Sequence, residues 1–478
     1  MRPARPAPTG RADASTADAG TGSDARRSIA EFLDACAAGS DSAVSATQRC
    51  LARIAAHDRT GMAVAAMLST LPDAIDRARA CDRARSAGSA ADRPLLGVPI
   101  VVKDNIDVVS VPTTSGAIAL KDATPLRSAP AVAALHRAGA VLIGKTNLSE
   151  FSFEIRSRSS LGGDTRNPFA PHVTSGGSSG GTAVAVAGGF ALAGIGTDTG
   201  GSIRIPAAYN GLVGLRPTLG SISTRGVAPL APSTDTVGPI ARCVADAALL
   251  FRVLAPDLHA AGPACSTLRV GVVRQLYGIV PDIARAMDAA ISALRDAGVA
   301  VADAQPLPPA VIPSGEHIVD EEFGPAFDRY LRDNFAAGTV PQSLDALIAG
   351  GRFLPEYKTV LRARAMRRDP AVRAAIKRRH VDLRTALDAC MARDGFDALL
   401  YPPSAVLPVS MANPKGGWAA ELAACAGWPA IVVPVGAADN GLPLSVELLG
   451  RAGAEPTLFT LGQAIEDRVP KRAIPELR

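Results

Sequence analysis

The sequence predicts an α/β fold. Short apolar runs of the kind that form buried strands alternate along the chain with segments whose apolar residues recur at helical spacing. The 478 residues are 47% hydrophobic and 20% charged, which is the composition of a globular protein with a substantial core. The alternation predicts the class of fold, but it does not determine the order of the strands.

Local patterns predict the first elements. A helix is predicted after Ser42, which can cap it, because apolar residues then recur at helical spacing. Residues 63–68 form an apolar run that predicts a strand, and residues 73–86 are polar on one side and alanine-rich on the other, as in a surface helix. Residues 100–102 give a buried-strand signal that leads directly into Lys103.

The same reasoning extends to the middle of the chain. Residues 131–138 predict a helix, and residues 140–143 predict the strand that follows it. A further helix is predicted over 244–254. Residues 268–273 then predict a strand before an amphipathic helix over 281–297.

The later part of the chain is predicted to be largely helical. A helix is expected over 316–332, residues 344–387 are mostly helical in pattern, and residues 396–402 predict a core strand. The segment 362–384 carries many arginines without interleaved aromatic residues. We interpret it as a solvated helical face rather than a nucleic-acid surface.

The N-terminal segment gives no secretory or membrane signal. Residues 1–27 lack hydrophobic periodicity and are rich in small and polar residues, which predicts a disordered tail. Arg26 and Arg27 resemble the start of a twin-arginine signal, but Glu31 and Asp34 interrupt the apolar stretch that follows. No run of 18 apolar residues occurs. We therefore expect a cytoplasmic protein that does not contact a membrane.

The cysteines and the charge balance narrow the function classes. Seven cysteines are scattered without CxxC spacing, which predicts buried thiols in a reducing compartment rather than a disulfide framework or a zinc site. The net charge of +5 is small for this length and indicates no particular partner. Aromatic residues make up only 4% of the chain, which argues against a nucleic-acid stacking surface.

Three local motifs suggest other enzyme classes, and each fails on its context. Residues 139–146 match the phosphate-loop pattern G-x-x-x-x-G-K-T, but the variable positions are themselves the predicted strand. Residues 194–200 resemble a dinucleotide fingerprint whose third glycine is one residue late. Residues 176–181 contain two overlapping G-x-S-x-G patterns of the α/β-hydrolases.

An α/β-hydrolase also needs a histidine, and the six histidines give little support for one. They are far apart in sequence, and none of those that follow the G-x-S-x-G patterns has a glycine-rich or turn context typical of an active-site loop. A serine hydrolase here would need a base other than histidine. The histidines are His57, His136, His172, His259, His317 and His380.

The densest concentration of glycine and serine lies in residues 173–204. Two glycine-framed serine clusters, at 176–181 and 200–202, flank a run of small apolar residues. Such density implies backbone that takes unusual dihedral angles or approaches a ligand closely. Serines on such loops can be nucleophiles if a neighbouring group removes their protons. Lys103 can be that group if burial lowers its pKa, and it is otherwise an ordinary lysine at the end of a strand.

Several blocks in this order resemble the amidase-signature hydrolases. The signature region is G-G-S-S-G-G-T-A-V-A-V-A-G-G followed by G-T-D-T-G-G-S-I-R-I-P-A-A-Y-N-G-L-V-G-L-R-P-T. The resemblance extends over about residues 28–470. It implies one domain, residues 28–478, with a large mixed central sheet covered by helices on both faces. The other matching blocks are 94–107, 144–151, 233–242, 427–436 and 441–451.

The resemblance implies a Ser–Ser–Lys triad. Ser202 would be the nucleophile, Ser178 the bridging serine and Lys103 the base, and the family's bridging serine follows a cis peptide bond. Backbone N–H groups of Thr199, Gly200, Gly201 and Ser202 would form the oxyanion hole. This chemistry requires no metal and no organic cofactor.

Further residues of the signature receive secondary roles. Residues 151–154 follow the block that leads into the pocket, so Ser152 and Phe153 are expected to line the acyl site. Ser179 is expected to form hydrogen bonds within the site. Asp198 and Arg204 are expected to form a structural ion pair or to satisfy amides of the loop, rather than to act in catalysis.

The implied function is hydrolysis of a carbon–nitrogen amide bond in a small carboxamide or an aryl or alkyl amide. We expect no nucleic-acid partner, and a homodimer is the expected assembly. Two alternatives stay open. One is an amidotransferase subunit that acts on mischarged tRNA within a complex, and the other is a hydrolase of urea-type amides such as allophanate. The segment after residue 254 lacks the paired aspartates expected in the amidotransferase subunits, which favours a stand-alone enzyme.

Overall fold

The computed structural model describes residues 27–470 and 472–477, except for gaps at 91, 259–260, 314–316, 367 and 413–420. Apart from Arg27, the predicted disordered tail lies outside the described residues. So do His259 and the first residue of the helix predicted over 316–332. No helix in the described ranges is both long enough and apolar enough to cross a membrane.

One mixed sheet of eleven strands forms the centre of the described structure. Across the sheet, the order is β1 (Met67–Thr70), β3 (Val141–Thr146), β2 (Pro99–Lys103), β6 (Ala193–Asp198), β8 (Thr236–Ala241), β7 (Val213–Arg216), β12 (Ala430–Ala437), β13 (Pro443–Gly450), β11 (Ala398–Tyr401), β9 (Arg269–Val272) and β10 (Ala300–Asp303). The three strands β3, β2 and β6 run parallel, as do β11, β9 and β10, and the other neighbours are antiparallel. Strands β4 (Arg158–Ser159) and β5 (Gly163–Asp164) form a separate ribbon.

Fourteen α-helices surround this sheet in the ranges that the structure describes. Those before β9 are α1 (Ile29–Ala37), α2 (Ala43–His57), α3 (Ala74–Ser86), α4 (Pro130–Arg137), α5 (Gly180–Ala187), α6 (Arg204–Tyr209) and α7 (Val244–Leu254). Those after it are α8 (Pro281–Asp296), α9 (Ile318–Asn334), α10 (Leu344–Gly350), α11 (Lys358–Met366), α12 (Pro370–Asp394), α13 (Glu421–Ala426) and α14 (Glu455–Glu466).

Helices cover both faces of the sheet. Successive side chains of a strand point to opposite faces, and in β2 the side chains of Ile100 and Val102 join one hydrophobic cluster while Val101 joins another. The first cluster includes α1, α4, α7, α8 and α14, and the second includes α2, α3, α5 and α6. This arrangement confirms the expected α/β fold with a large mixed sheet.

A third hydrophobic cluster lies outside these two layers. Helices α9, α10 and α11 pack together around Phe323 and Phe327, and they contact Phe151 from the loop that follows β3. The ring of Phe323 stacks on that of Phe327 with centroids 5.0 Å apart. This cluster places the predicted helical region beside the loop that follows β3.

Most predicted elements agree with the structure. The helix predicted over 244–254 is α7, and Ser42 caps α2 by accepting a hydrogen bond from the Ser45 N–H at 3.0 Å. Residues 344–387 contain α10, α11 and most of α12.

The strand predicted over 63–68 is wrong for most of its length. Ala63 and Ala65 have φ values of 50° and 51°, in the left-handed region. The carboxylate of Asp58 accepts hydrogen bonds from the N–H groups of Ala66 and Met67 at 2.7 and 3.0 Å, which fixes a turn. The strand therefore begins only at Met67.

Candidate active site

Lys103 is the last residue of β2 and is fully buried. Its Nζ donates hydrogen bonds to Ser178 Oγ and to Thr197 Oγ1, each at 2.7 Å. Burial lowers the pKa of Lys103 to about 7, although the negative charges of Asp198 and Asp235 act to raise it. A substantial fraction of this lysine is therefore neutral near pH 7, and it is already aimed at a serine hydroxyl.

Ser178 lies in the first glycine–serine cluster, just before α5. The Gly177–Ser178 peptide bond is cis. The carbonyl oxygen of Ser178 accepts hydrogen bonds from the Ser149 N–H at 3.2 Å and from Ser157 Oγ at 3.3 Å. These contacts fix the backbone of Ser178 against the loop that follows β3, on the side where Lys103 ends its strand.

Ser202 lies in the second cluster, between β6 and α6. Its carbonyl oxygen accepts a hydrogen bond from the N–H of Ser179 at 3.1 Å, so the two serine segments are joined directly. The preceding Gly201 has φ of 127°, a conformation that favours glycine. Ser202 borders a cavity and is 7% exposed, whereas Ser178 is fully buried.

Asp198 anchors the loop that carries Ser202. Its carboxylate accepts hydrogen bonds from the N–H groups of Gly201 and Ile203, at 3.0 and 3.1 Å, and ion pairs join it to Arg204 and Arg216 at 3.0 and 2.8 Å. Burial alone would raise the pKa of Asp198, but the two guanidinium groups hold it well below its ordinary value. The structural ion pair predicted for Asp198 and Arg204 is present.

Two further buried residues, Tyr401 and Glu447, complete this network. Arg204 also contacts Glu447 at 2.5 Å, and Tyr401 donates a hydrogen bond to the same carboxylate at 2.9 Å. Burial raises the pKa of Glu447, and the charge of Arg204 opposes that shift. Sequence reasoning did not assign Arg216, Tyr401 or Glu447. The signal that could have identified Arg216 and Glu447 is a charged residue within an apolar strand, because a buried charge needs an ionic partner.

The backbone N–H groups predicted for the oxyanion hole are not equivalent. That of Gly201 already donates to Asp198, as described above. No acceptor within the described ranges is found for the N–H groups of Thr199, Gly200 and Ser202. Thr199 is oriented through its hydroxyl, which donates to Asp235 at 2.5 Å.

A cavity of about 380 Å³ opens beside Ser202. Thr199, Gly200, Ser152 and Phe153 line it together with Ser202. Ser179 is fully buried, and its Oγ contacts the carbonyl oxygen and the N–H of Thr197 at 3.1 and 3.3 Å. The other lining residues are Glu154, Ile155, Ile205, Leu230, Thr234, Ala310, Val311, Ile312, Pro313, His317, Ile318, Val319, Arg364, Ile376, Arg379, His380, Leu383, Glu421 and Cys425.

The helices of the third hydrophobic cluster shape one wall of this cavity. The ring of Phe153 contacts that of Phe323 on α9, with centroids 4.7 Å apart, and the guanidinium carbon of Arg364 on α11 lies 4.2 Å from the centroid of the Phe153 ring. His317 and His380 also line the cavity, although their sequence context did not indicate an active-site position. The central part of the chain therefore forms a pocket wall.

The phosphate-loop pattern has a structural explanation. Residues 141–146 are strand β3, and Lys145 within it is fully buried. Its Nζ forms an ion pair with Asp104 at 2.7 Å and donates a hydrogen bond to Thr113 Oγ1 at 3.1 Å. The strand predicted over 140–143 thus extends to Thr146, and Lys145 is part of the sheet.

Comparisons with known proteins agree with this architecture. The family model described as Amidase matches residues 45–459. The A subunit of the glutamyl-tRNA(Gln) amidotransferase of Roseiflexus castenholzii is 34% identical to this chain over 469 residues, which cover 92% of the chain and 95% of that protein.

Two solved structures illustrate the range of similarity. Native peptide amidase from Stenotrophomonas maltophilia is 33% identical with a TM-score of 0.85, and the match covers 94% of this chain and 98% of that one. The A subunit of the glutamyl-tRNA(Gln) amidotransferase from Thermotoga maritima is 25% identical with a TM-score of 0.72, and the match covers 95% of this chain and 98% of that one. The resemblance seen in the sequence is thereby confirmed, and the chain belongs to the amidase family.

Proposed function

We propose that this protein is a stand-alone amidase that hydrolyses the carbon–nitrogen bond of a small carboxamide or an aryl or alkyl amide. The observation that carries the proposal is the contact between fully buried Lys103 and Ser178 Oγ at 2.7 Å, in a segment bonded directly to that of Ser202. A desolvated lysine with a lowered pKa is a base, and a serine bordering a cavity is a nucleophile within reach of a substrate.

The proposed reaction begins with attack of Ser202 Oγ on the carbonyl carbon of the amide. The proton of Ser202 passes to Ser178 Oγ, and Ser178 gives its own proton to neutral Lys103 Nζ. The new C–O bond moves the carbonyl electron pair onto oxygen. When the tetrahedral intermediate collapses, the C–N bond breaks and the reversed relay delivers a proton to the leaving nitrogen. Water then hydrolyses the acyl-enzyme to a carboxylate and restores Ser202.

The developing oxyanion requires donors that are not already occupied. We assign this role mainly to the N–H groups of Thr199, Gly200 and Ser202. Gly201, which the sequence also suggested, contributes by its conformation, because its N–H holds the carboxylate of Asp198 at 3.0 Å. Loss of one oxyanion donor typically costs about 3 kcal/mol of transition-state stabilisation.

The second candidate is an amidotransferase subunit, and the name of the Roseiflexus castenholzii relative favours it. Two observations support the first candidate instead. The TM-score is higher with the peptide amidase, at 0.85, than with the Thermotoga maritima protein, at 0.72. The cavity wall is also mostly apolar, with side chains such as Ile205, Leu230 and Ile376, which suits a hydrophobic amide better than glutamine.

The experiment uses the purified full chain without partner proteins. The protein is treated with a serine-directed phosphonate, the adduct is mapped by mass spectrometry, and ammonia or amine release is measured for C-terminal peptide amides, aryl amides, allophanate and glutamine. A single adduct on Ser202 and turnover of an amide, both absent in Ser202→Ala, are expected. Absence of both the adduct and turnover in the folded protein would favour the second candidate, and turnover of allophanate alone would favour the urea-type reaction.

A further inference from the structure

We propose that Glu421 is a specificity-determining residue, and that it selects amides carrying an ammonium group three or four bonds from the scissile carbonyl carbon. This inference rests on the proposed function and names its substrate class. It follows from the position of a carboxylate beside the loop that would hold the oxyanion, from the surroundings of that carboxylate, and from the charge that develops in the reaction.

Glu421 begins α13 and lines the same cavity as Ser202. Its side chain lies over Gly200, because a side chain at position 200 would begin 3.8 Å from the Glu421 Cγ and 3.9 Å from its Oε1. The side chain of Glu421 is 30% exposed, so its carboxylate is accessible to a molecule in the cavity.

Two other charged side chains of the wall, Glu154 and Arg364, have close partners, whereas the described residues place only His317 near the carboxylate of Glu421, at 3.9 Å. Glu154 forms an ion pair with Arg156 at 3.3 Å, and Arg364 donates a hydrogen bond to Asp320 at 3.0 Å. The described ranges contain no hydrogen bond to the side chain of Glu421.

Among the described residues, the group nearest to the Glu421 carboxylate that can carry a positive charge is the imidazole of His317. The His317 Nδ1 lies 3.9 Å from the Oε1 of Glu421, which is too long for a hydrogen bond. Burial raises the pKa of Glu421, and the charges of His317 and Arg204 oppose this shift. The carboxylate therefore has unused capacity to accept hydrogen bonds from a ligand.

Negative charge develops on the substrate oxygen against the N–H groups of the Gly200 loop, and it is opposed by the Glu421 carboxylate, whose Oε1 lies 3.9 Å from the place that a Cβ at position 200 would take. In a partly desolvated cavity this repulsion is much stronger than in water. A substrate ammonium group that contacts Glu421 removes the repulsion and adds a charge-assisted hydrogen bond. The ammonium group could belong to the acyl part of the substrate or to the leaving amine.

The test compares two pairs of amides in which a methyl group replaces the ammonium group. On the acyl side the pair is 3-amino-3-phenylpropanamide and 3-phenylbutanamide. On the leaving side it is N-(2-aminoethyl)-3-phenylpropanamide and N-propyl-3-phenylpropanamide. For each pair, the ratio of kcat/KM is measured at pH 7 for the wild type and for Glu421→Gln, and the pair that responds identifies the position of the amine. The control is Asp388→Asn, which removes a carboxylate 57% exposed at the surface and paired with Arg451.

We expect the wild type to prefer the charged member of at least one pair. Glu421→Gln should lower that preference about tenfold or more, because each tenfold corresponds to about 1.4 kcal/mol of differential binding, and Asp388→Asn should leave it unchanged. A ratio that Glu421→Gln does not change, in a variant with wild-type circular dichroism, would overturn the inference. A wild type that prefers the uncharged member of both pairs would also overturn it. That preference is expected if the basic residues Arg379 and His380 dominate the charge of the cavity.

Binding separates this inference from the proposed function. The same four amides are titrated calorimetrically into Ser202→Ala protein, with and without Glu421→Gln. Absence of turnover of every amide, both these four and the wider panel, would count against the proposed function. A binding preference for the ammonium group that Glu421→Gln abolishes would still support the role of Glu421, and equal binding of charged and uncharged members would refute it.

Discussion

At the scale of single residues, the protonation state of Lys103 should set the pH dependence of activity. Its pKa is lowered to about 7 by burial, and the relay requires its neutral form. The neutral fraction grows as pH rises, so kcat/KM should increase through about pH 7 and level off above it. A pH–rate profile of the wild type between about pH 5.5 and 9, with an uncharged amide, measures this directly.

Two variants give the controls for that profile. Ser202→Ala should abolish turnover, because it removes the hydroxyl that attacks the amide, and Lys103→Ala should reduce it almost as severely. A Lys103→Ala variant with near-wild-type activity at neutral pH would contradict the triad.

The same lysine should cost the protein stability at low pH. In the unfolded chain its pKa is about 10.4, whereas in the folded protein it is about 7. The folded state therefore binds fewer protons than the unfolded state between these values, and the stability contribution of Lys103 rises with pH across that window. Lys103→Met removes this dependence. Its free energy of unfolding relative to wild type should be higher at pH 6 than at pH 9, by roughly 2 to 3 kcal/mol.

Urea denaturation at the two pH values measures this difference. Lys121→Met, at a lysine 51% exposed at the surface, serves as the control and should show no comparable pH dependence. An equal effect of Lys103→Met at pH 6 and pH 9 would mean that burial does not shift the pKa of Lys103 in the folded protein.

The sequence indicated some of these residues better than others. Lys103, Ser178 and Ser202 lie in blocks whose order and spacing are specific, so the sequence could bring them together. The pairs of Arg216 with Asp198 and of Glu447 with Arg204 could not be assigned in the same way. The second pair joins residues 243 positions apart in sequence. Such pairs depend on strand order, which local patterns do not contain.

At the scale of elements, the start of α5 depends on a close approach to the sheet. A Cβ at Gly181 would overlap the carbonyl oxygens of Asn147 and Ala66, which are backbone atoms that cannot move freely. Gly181→Ala should therefore destabilise the protein by about 1 to 3 kcal/mol and reduce activity, because α5 follows Ser178 directly. Thermal and urea unfolding, together with kcat/KM, measure both effects.

Gly350 provides the matched control. It is the last residue of α10, and a Cβ there would have no neighbour within 4 Å. Gly350→Ala should be neutral or stabilising by up to about 1 kcal/mol, because alanine loses less backbone entropy in a helix. If both variants behaved alike, the close packing at the start of α5 would not explain the glycine at position 181.

The elements themselves were largely predictable, except where a side chain bonds to the backbone. Long amphipathic helices such as α7 and α8 follow directly from periodicity. The apolar run at 63–68 has the composition of a strand, but the carboxylate of Asp58 fixes its backbone as a turn. Competition of this kind between a side chain and a strand partner is not visible in the pattern of apolar residues.

At the scale of the whole molecule, the cavity could not have been derived from local sequence. Its walls come from the loop after β3, from the β6–α6 loop, and from α9, α11, α12 and α13. These segments meet because β12 and β13 lie between β7 and β11, so the C-terminal strands occupy the middle of the sheet. The alternation of strands and helices predicts the class of the fold, whereas the cavity depends on this order.

Three carboxyl groups, of Asp107, Glu150 and the half-buried Glu466, should control the stability of the whole molecule between about pH 5 and 7. Burial raises the pKa values of Asp107, Glu150 and Glu466 each to about 7, although their hydrogen bonds oppose the shift. In the unfolded chain the values are about 4. The folded state therefore retains protons that the unfolded state has lost, so stability is greatest at the acid end of this window and falls as pH rises to 7.

Amide substitutions at two of these positions test the effect. Asp107 accepts a hydrogen bond from Tyr330 at 2.7 Å, and Glu150 accepts one from the Leu354 N–H at 2.9 Å. These contacts join the segments that follow β2 and β3 to the third hydrophobic cluster. Asp107→Asn combined with Glu150→Gln keeps oxygen acceptors but cannot ionise. The wild type should lose roughly 1 kcal/mol or more per group between pH 5 and 7, and the double variant should lose less. The measurement is the free energy of unfolding in urea at half-unit pH steps, and parallel curves for the two proteins would show that neither carboxyl titrates in this window.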